Sequence, residues 1–119
     1  MTLPRLLALF VGLALAVHLF SNRGMAAGDP RQGTGSDGVV MLSADWCGYC
    51  RALRGDLDRA AIPYRELDID RDAEGAQAYR ALRARGVPVL VVGQDVIYGY
   101  DPRRALALAA SAGHPVAAP

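Results

Sequence analysis

The apolar positions of this chain fall into blocks whose period changes several times. From Leu6 to Phe20 they run without a polar face, interrupted only by Gly12 and His18. A buried core helix would normally keep a polar side, so the block reads as a signal or membrane segment instead. As a helix it would reach about 22 Å, against a hydrocarbon core of roughly 30 Å. A secretory signal with Arg5 as its charged head fits that length, and Gly24-Met25-Ala26 supplies small residues for cleavage near Ala26 or Ala27. Counting Leu3 lengthens the block and leaves an uncleaved anchor as the alternative. On either reading residues 1–27 export the remainder of the chain, to a periplasmic or membrane-anchored, extracytoplasmic position. The next block, residues 28–38, is Gly, Asp, Pro, Ser and Thr without an apolar period and reads as a flexible linker.

From Val39 a folded pattern begins. Val39 to Leu42 is a continuous apolar run, expected of a central strand covered on both faces. Leu53 and Leu57, one turn apart, predict a helix over residues 50–61, stopped by Ile62-Pro63. Tyr64 to Ile69 alternates and predicts a short, partly exposed strand. Asp70 and Asp72 offer N-cap oxygens for a second helix running to about Arg85, with Ala76, Tyr79 and Leu82 as its apolar edge and Gly86 as its stop. Val87 to Val92 predicts a buried strand if Pro88 sits at its start. Gly93-Gln94-Asp95 turns the chain into Val96-Ile97-Tyr98, and Asp101 with Pro102 caps a last helix that stops near Gly113. Residues 114–119 read as a frayed tail. The order strand, helix, strand, helix, strand, strand, helix predicts an α/β domain over residues 39–113. Its parallel crossovers and terminal hairpin would give a small mixed four-stranded sheet flanked by about three helices.

Composition narrows what such a domain does. Setting aside the N-terminal block leaves roughly 80 to 90 residues, enough for one core. The formal net charge is +1, and all thirteen basic residues are arginines scattered along the chain. No basic stripe marks a nucleic-acid footprint. The two histidines, His18 and His114, lie far from the two cysteines, so a four-ligand zinc site lacks ligands and no metal is expected to be tightly bound.

Both cysteines sit in Trp46-Cys47-Gly48-Tyr49-Cys50, where a strand gives way to a helix. A Cys-x-x-Cys pair closes too small a loop to brace a fold, but at a helix N-terminus its thiolate is stabilised by unpaired N–H groups and the macrodipole. The pattern is that of a thiol redox centre. Asp45 would oppose thiolate formation if it faced Cys47. Trp46 fits either a place beside the centre or a place in the core.

Cys47-Gly48-Tyr49-Cys50, Val87-Pro88 and Gly99-Tyr100-Asp101, in this order, resemble the glutaredoxins of the thioredoxin fold, over about Val39 to Ala112. The resemblance implies that Cys47 is the exposed nucleophile and Cys50 the resolving thiol. It implies a glutathione groove lined by Tyr49, by Val87 with a cis Pro88, and by Tyr100 and Asp101 receiving the γ-glutamyl end. Gly48 stands where the family usually has proline, and Ala44 where a basic residue often lies, so thiolate and carboxylate support would fall to Arg51 or Arg83. The expected activity is thiol–disulfide exchange by a monomer, with glutathione as co-substrate and protein or glutathione mixed disulfides as partners. Two alternatives accompany it: an exported thioredoxin-like reductase or oxidant that does not use glutathione, and a module binding an iron–sulfur cluster or soft metal between two copies.

Overall fold

The computed structural model describes residues 2–21 and 27–116. The expected cleavage positions at Gly24 to Ala26 and the end of the tail at 117–119 lie outside these residues. Helix α1 spans Leu3–Ser21. Its 19 residues give a length of about 28 Å, longer than the sequence suggested because the helix starts at Leu3. Its window Leu3–Phe20 has a mean hydropathy of 2.0 and none of it is buried. The helix is thus long and apolar enough to cross a membrane, as signal sequences also are.

The sheet contains β1 (Val39–Ser43), β2 (Arg65–Asp68), β3 (Val89–Val92) and β4 (Asp95–Tyr98) in the order β2-β1-β3-β4. β1 pairs parallel with β2 and antiparallel with β3, which pairs antiparallel with β4. One parallel crossover, not several, therefore links the strands: β3 runs back against β1, with Val89 opposite Leu42 and Val92 opposite Val39. Every residue of β1 and β3 is buried, which is why both segments are apolar almost throughout.

Helices cover both faces. Val39, Met41, Leu90 and Val92 pack under α3 (Gly48–Arg59) and α5 (Pro102–Ser111) through Leu53, Leu57, Ala105 and Ala109. Val40, Leu42, Val89 and Val91 pack under α4 (Ala73–Ala81) through Ala78 and Leu82. Successive strand residues point to opposite faces, so each valine-rich strand supplies both cores at once.

Helix α4 ends earlier than its apolar spacing predicts. Leu82 is its C-cap and Arg83 takes a left-handed φ of 53°, so Gly86 is not its stop. Its buried positions are Gly75 and Ala78 rather than Ala76. Gly75 crosses the backbone so closely that a Cβ there would meet the Asp68 carbonyl oxygen at 2.4 Å.

The segment 28–38 is docked, not a free tether. It contains a short helix, α2 (Arg31–Thr34), and a buried Asp29 whose carboxylate accepts two hydrogen bonds from Arg31 Nε at 3.0 and 3.1 Å. Thr34 Oγ1 donates to the Gly93 carbonyl at 2.9 Å, Gly93 N donates to Gly38 O at 2.8 Å, and Gln94 Nε2 donates to the carbonyls of Arg31 and Gly35. Polar residues that look like linker composition are here partners for the β3–β4 turn. Gly93 takes a φ of 59°, and a Cβ there would strike Ser36 O at 2.4 Å. The start of the tail is held as well, since His114 Nε2 lies 2.5 Å from Asp37 O and Val116 packs against the α3/α5 core.

Candidate active site

Ser43 ends β1 as a buried hydroxyl and must find an acceptor. It donates to Glu66 Oε1 at 2.9 Å, and Glu66 is ion-paired with Arg54 of α3. Arg54's hydrogen bond holds the Glu66 carboxyl below its ordinary range against the cost of burial, with Ser43 helping. This triad ties β1, β2 and α3 together just before the cysteine loop.

Cys47 is the N-cap of α3, with extended φ and ψ of −91° and 107°. Its sulfur accepts a hydrogen bond from Cys50 N at 3.1 Å. The first-turn donor that the sequence placed near the thiol is thus aimed at Sγ, and it favours sulfur in its anionic form. Cys47 and Cys50 are joined by a disulfide, with Cα atoms 5.3 Å apart.

Cys47 is only 5% exposed and Cys50 fully buried, so the expectation of an openly exposed nucleophile is corrected. Ala44 packs against the pair, with Ile69 and Val87 beside it. The asymmetry still separates the two cysteines, since Cys47 keeps some exposure and Cys50 none.

Val87-Pro88 is a cis peptide. The Val87 carbonyl oxygen lies 3.6 Å from Cys47 Sγ, which brings this pair to the site as expected. Gly99 N donates to Pro88 O at 2.9 Å, so the Gly99-Tyr100-Asp101 turn is fixed to the same floor. Tyr49 and Tyr100 stack, with centroids 5.4 Å apart and planes at 25°. Tyr49 is 66% exposed, a partly open aromatic wall rather than a core ring. The Tyr100 hydroxyl donates to Asp56 Oδ2 at 2.6 Å, and this hydrogen bond raises the Tyr100 pKa. Asp101 caps α5 by accepting from Arg104 N at 3.1 Å.

The two candidate arginines are placed differently. Arg51 reaches back to the Asp45 carbonyl at 3.2 Å, on the loop that leads to Cys47. Arg83 lies across the Val87 side, lining a cavity of about 410 Å³ with Arg85, Gly86, Val87, Tyr98 and Gly99.

Trp46 is not a core aromatic: it is exposed, and its Nε1 donates to Asp70 Oδ2 at 2.9 Å. Asp45 is ion-paired with Arg71, which compensates a charge that would otherwise work against a thiolate. Sequence reasoning did not find Asp56, Asp70 or Arg71 as supports of the site. The sequence presents Asp70 only as a source of N-cap oxygen for the second helix.

Residues 39–97 match the glutaredoxin family profile. A glutaredoxin from Ricinus communis is 28% identical over 81 residues, spanning 65% of this chain and 79% of its own. The holo form of glutaredoxin C1 from Populus tremula x tremuloides is 26% identical with a TM-score of 0.57, covering 70% of this chain and 93% of its own. A buckwheat glutaredoxin–glutathione complex is 23% identical with a TM-score of 0.58, covering 73% and 88% respectively.

Proposed function

The domain matched over residues 39–97 belongs to the glutaredoxin family and the protein is a thiol–disulfide oxidoreductase; from that premise we propose that it resolves glutathione mixed disulfides, with Cys47 as the attacking sulfur. The observation that carries this reading is the placement of Cys47 Sγ. It sits at the N-cap of α3, under the Cys50 N–H, beside the Val87 carbonyl, and outside a fully buried Cys50.

In the reduced enzyme the Cys47 thiolate attacks the glutathione sulfur of a protein–glutathione disulfide. The protein leaves as a thiolate that takes up a proton, and Cys47 now carries the glutathione. A second glutathione thiolate then attacks that glutathione sulfur, returning the Cys47 thiolate and releasing glutathione disulfide. Alternatively, the Cys50 thiolate attacks Cys47 Sγ, expels glutathione and forms the intramolecular disulfide seen here. Two glutathione molecules reduce that disulfide and leave as glutathione disulfide.

The buckwheat relative's complex with glutathione supports the choice of co-substrate. Tyr49, Tyr100, Val87, Pro88 and Asp101 then form the groove, and Arg51 or Arg83 meets a glutathione carboxylate. No tightly bound cofactor is assigned, and the domain acts as a monomer. Helix α1 serves as an export signal or retained anchor, placing the domain outside the cytoplasm.

Turnover of a glutathionylated peptide with glutathione and a coupled reductase tests the reading. Wild-type protein is expected to saturate with glutathionylated substrate and Cys47→Ser to be inactive; full activity in Cys47→Ser, or no dependence on glutathione, would overturn it.

A further inference from the structure

The two halves of the α4 region differ in charge. At its start the acidic groups are engaged: Glu74 pairs with Arg65, Asp70 accepts from Trp46, and Asp72 accepts from Asp68 N. At its end stand Arg80, Arg83 and Arg85, and none is ion-paired among the described residues. Arg83 and Arg85 rim the cavity that extends to Val87 and Tyr98, so uncompensated positive charge borders one wall of the Cys47 site.

The second observation is where the N-terminal helix delivers the chain. Ala27 and Gly28 lie against α4, sharing a cavity with Gln77, Arg80 and Ala81. Gly28 is so close that a Cβ added there would meet Gln77 Cβ at 3.0 Å. Only residues 22–26 separate Ala27 from Ser21, the last residue of α1, a path of at most about 22 Å. A docked segment 28–38 makes this leash far shorter than a free linker to Val39 would be.

We infer that the exposed arginines at and just beyond the end of α4, Arg80 beside Gly28 and Arg83 and Arg85 beside Val87, dock on an anionic phospholipid surface when α1 is held in a bilayer, bringing the Val87 side of the Cys47 site toward the membrane. Basic side chains at an anionic surface each contribute about a fivefold factor in partition. Three such factors are weak for a free domain, but the short leash supplies a high effective concentration. The docked enzyme would favour disulfides carried close to the bilayer. This rests on the retained-anchor form of the proposed function, and hydrogen exchange reports on docking independently of thiol turnover.

The full chain is reconstituted into phosphatidylcholine vesicles and into vesicles containing phosphatidylglycerol, and hydrogen exchange is followed over residues 79–87. Exchange is expected to slow by about fivefold or more only in the anionic vesicles. The difference should vanish in R80E/R85E and at high salt, and persist in R103E/R104E, whose arginines lie on α5 against the opposite face of the sheet. Equal exchange in both lipids, or equal loss of the difference in both double variants, would overturn the inference.

Discussion

The ring of Tyr49, one residue before Cys50, stacks on Tyr100, whose hydroxyl donates to Asp56 Oδ2 of α3. The start of α3, its middle and the turn before α5 thus fix an aromatic wall beside Cys47. Tyr49→Ala or Tyr100→Ala is expected to raise KM for a glutathionylated peptide by about three- to tenfold, the worth of one aromatic contact, with kcat nearly unchanged. Because the Asp56 carboxylate favours the neutral phenol, Asp56→Asn is expected to lower the Tyr100 titration midpoint. Difference absorbance of phenolate across alkaline pH checks this, and an unmoved midpoint counts against the hydrogen bond.

Glu66 is one of the carboxylates, with Asp29 and Asp68, that contribute to the acid-side dependence of stability. Its carboxyl is held down chiefly by the hydrogen bond from Arg54, so its folded pKa lies below the unfolded one. A depressed carboxylate stabilises the fold above the unfolded value of about 4.3 and loses that contribution as pH falls through the folded value. The Arg54 side chain is 37% exposed, and solvent screening holds the expected cost of Glu66→Gln near 1 kcal/mol at pH 7. Urea midpoints of wild type and variant should converge as pH falls below the folded Glu66 pKa; a gap that stays constant would refute the assignment.

Gly75 distinguishes propensity from packing. Alanine is the better helix former by about 1 kcal/mol, yet its Cβ would meet the Asp68 carbonyl oxygen at 2.4 Å. Gly75→Ala is expected to destabilise by about 2 kcal/mol as overpacking against backbone. A raised urea midpoint would show that α4 can lift off the β2 end without cost.

Much of this architecture was legible in the pattern of apolar positions. The runs at Val39 to Leu42 and Val89 to Val92 marked the two central strands, and Asp101-Pro102 marked the start of α5. The cysteine pair and the Val87-Pro88 and Tyr100 positions came together as their motifs implied. Polar partnerships were what spacing could not reveal. Segment 28–38 resembles a linker because its anchoring groups are backbone carbonyls and short polar side chains, whose partners lie about sixty residues away in the β3–β4 turn. Trp46 gave no sign that Asp70 would hold it outside, and the burial of Cys47 depends on Ile69 and Val87, which arrive from distant parts of the chain.

If segment 28–38 belongs to the domain, its buried charge should matter. Asp29 is 3% exposed and pairs with a partly exposed Arg31. Arg31's hydrogen bond lowers the Asp29 pKa. Asp29→Ala removes the buried partner while leaving Arg31 reachable by water, and the expected loss is about 1 to 2 kcal/mol. Denaturation of the full chain with and without the substitution measures it, and an unchanged midpoint would return the segment to the status of a tether.

The role of Cys47 as the attacking sulfur is tested most directly by intact mass after exposing Cys47→Ser and Cys50→Ser separately to glutathione disulfide. Each variant keeps one sulfur, and only Cys47 has both the helix-cap donor and any residual exposure. A single glutathione adduct is predicted on the Cys50→Ser protein, removed by added glutathione, and none on Cys47→Ser. An adduct forming as readily on Cys47→Ser, or none on Cys50→Ser, would contradict that role.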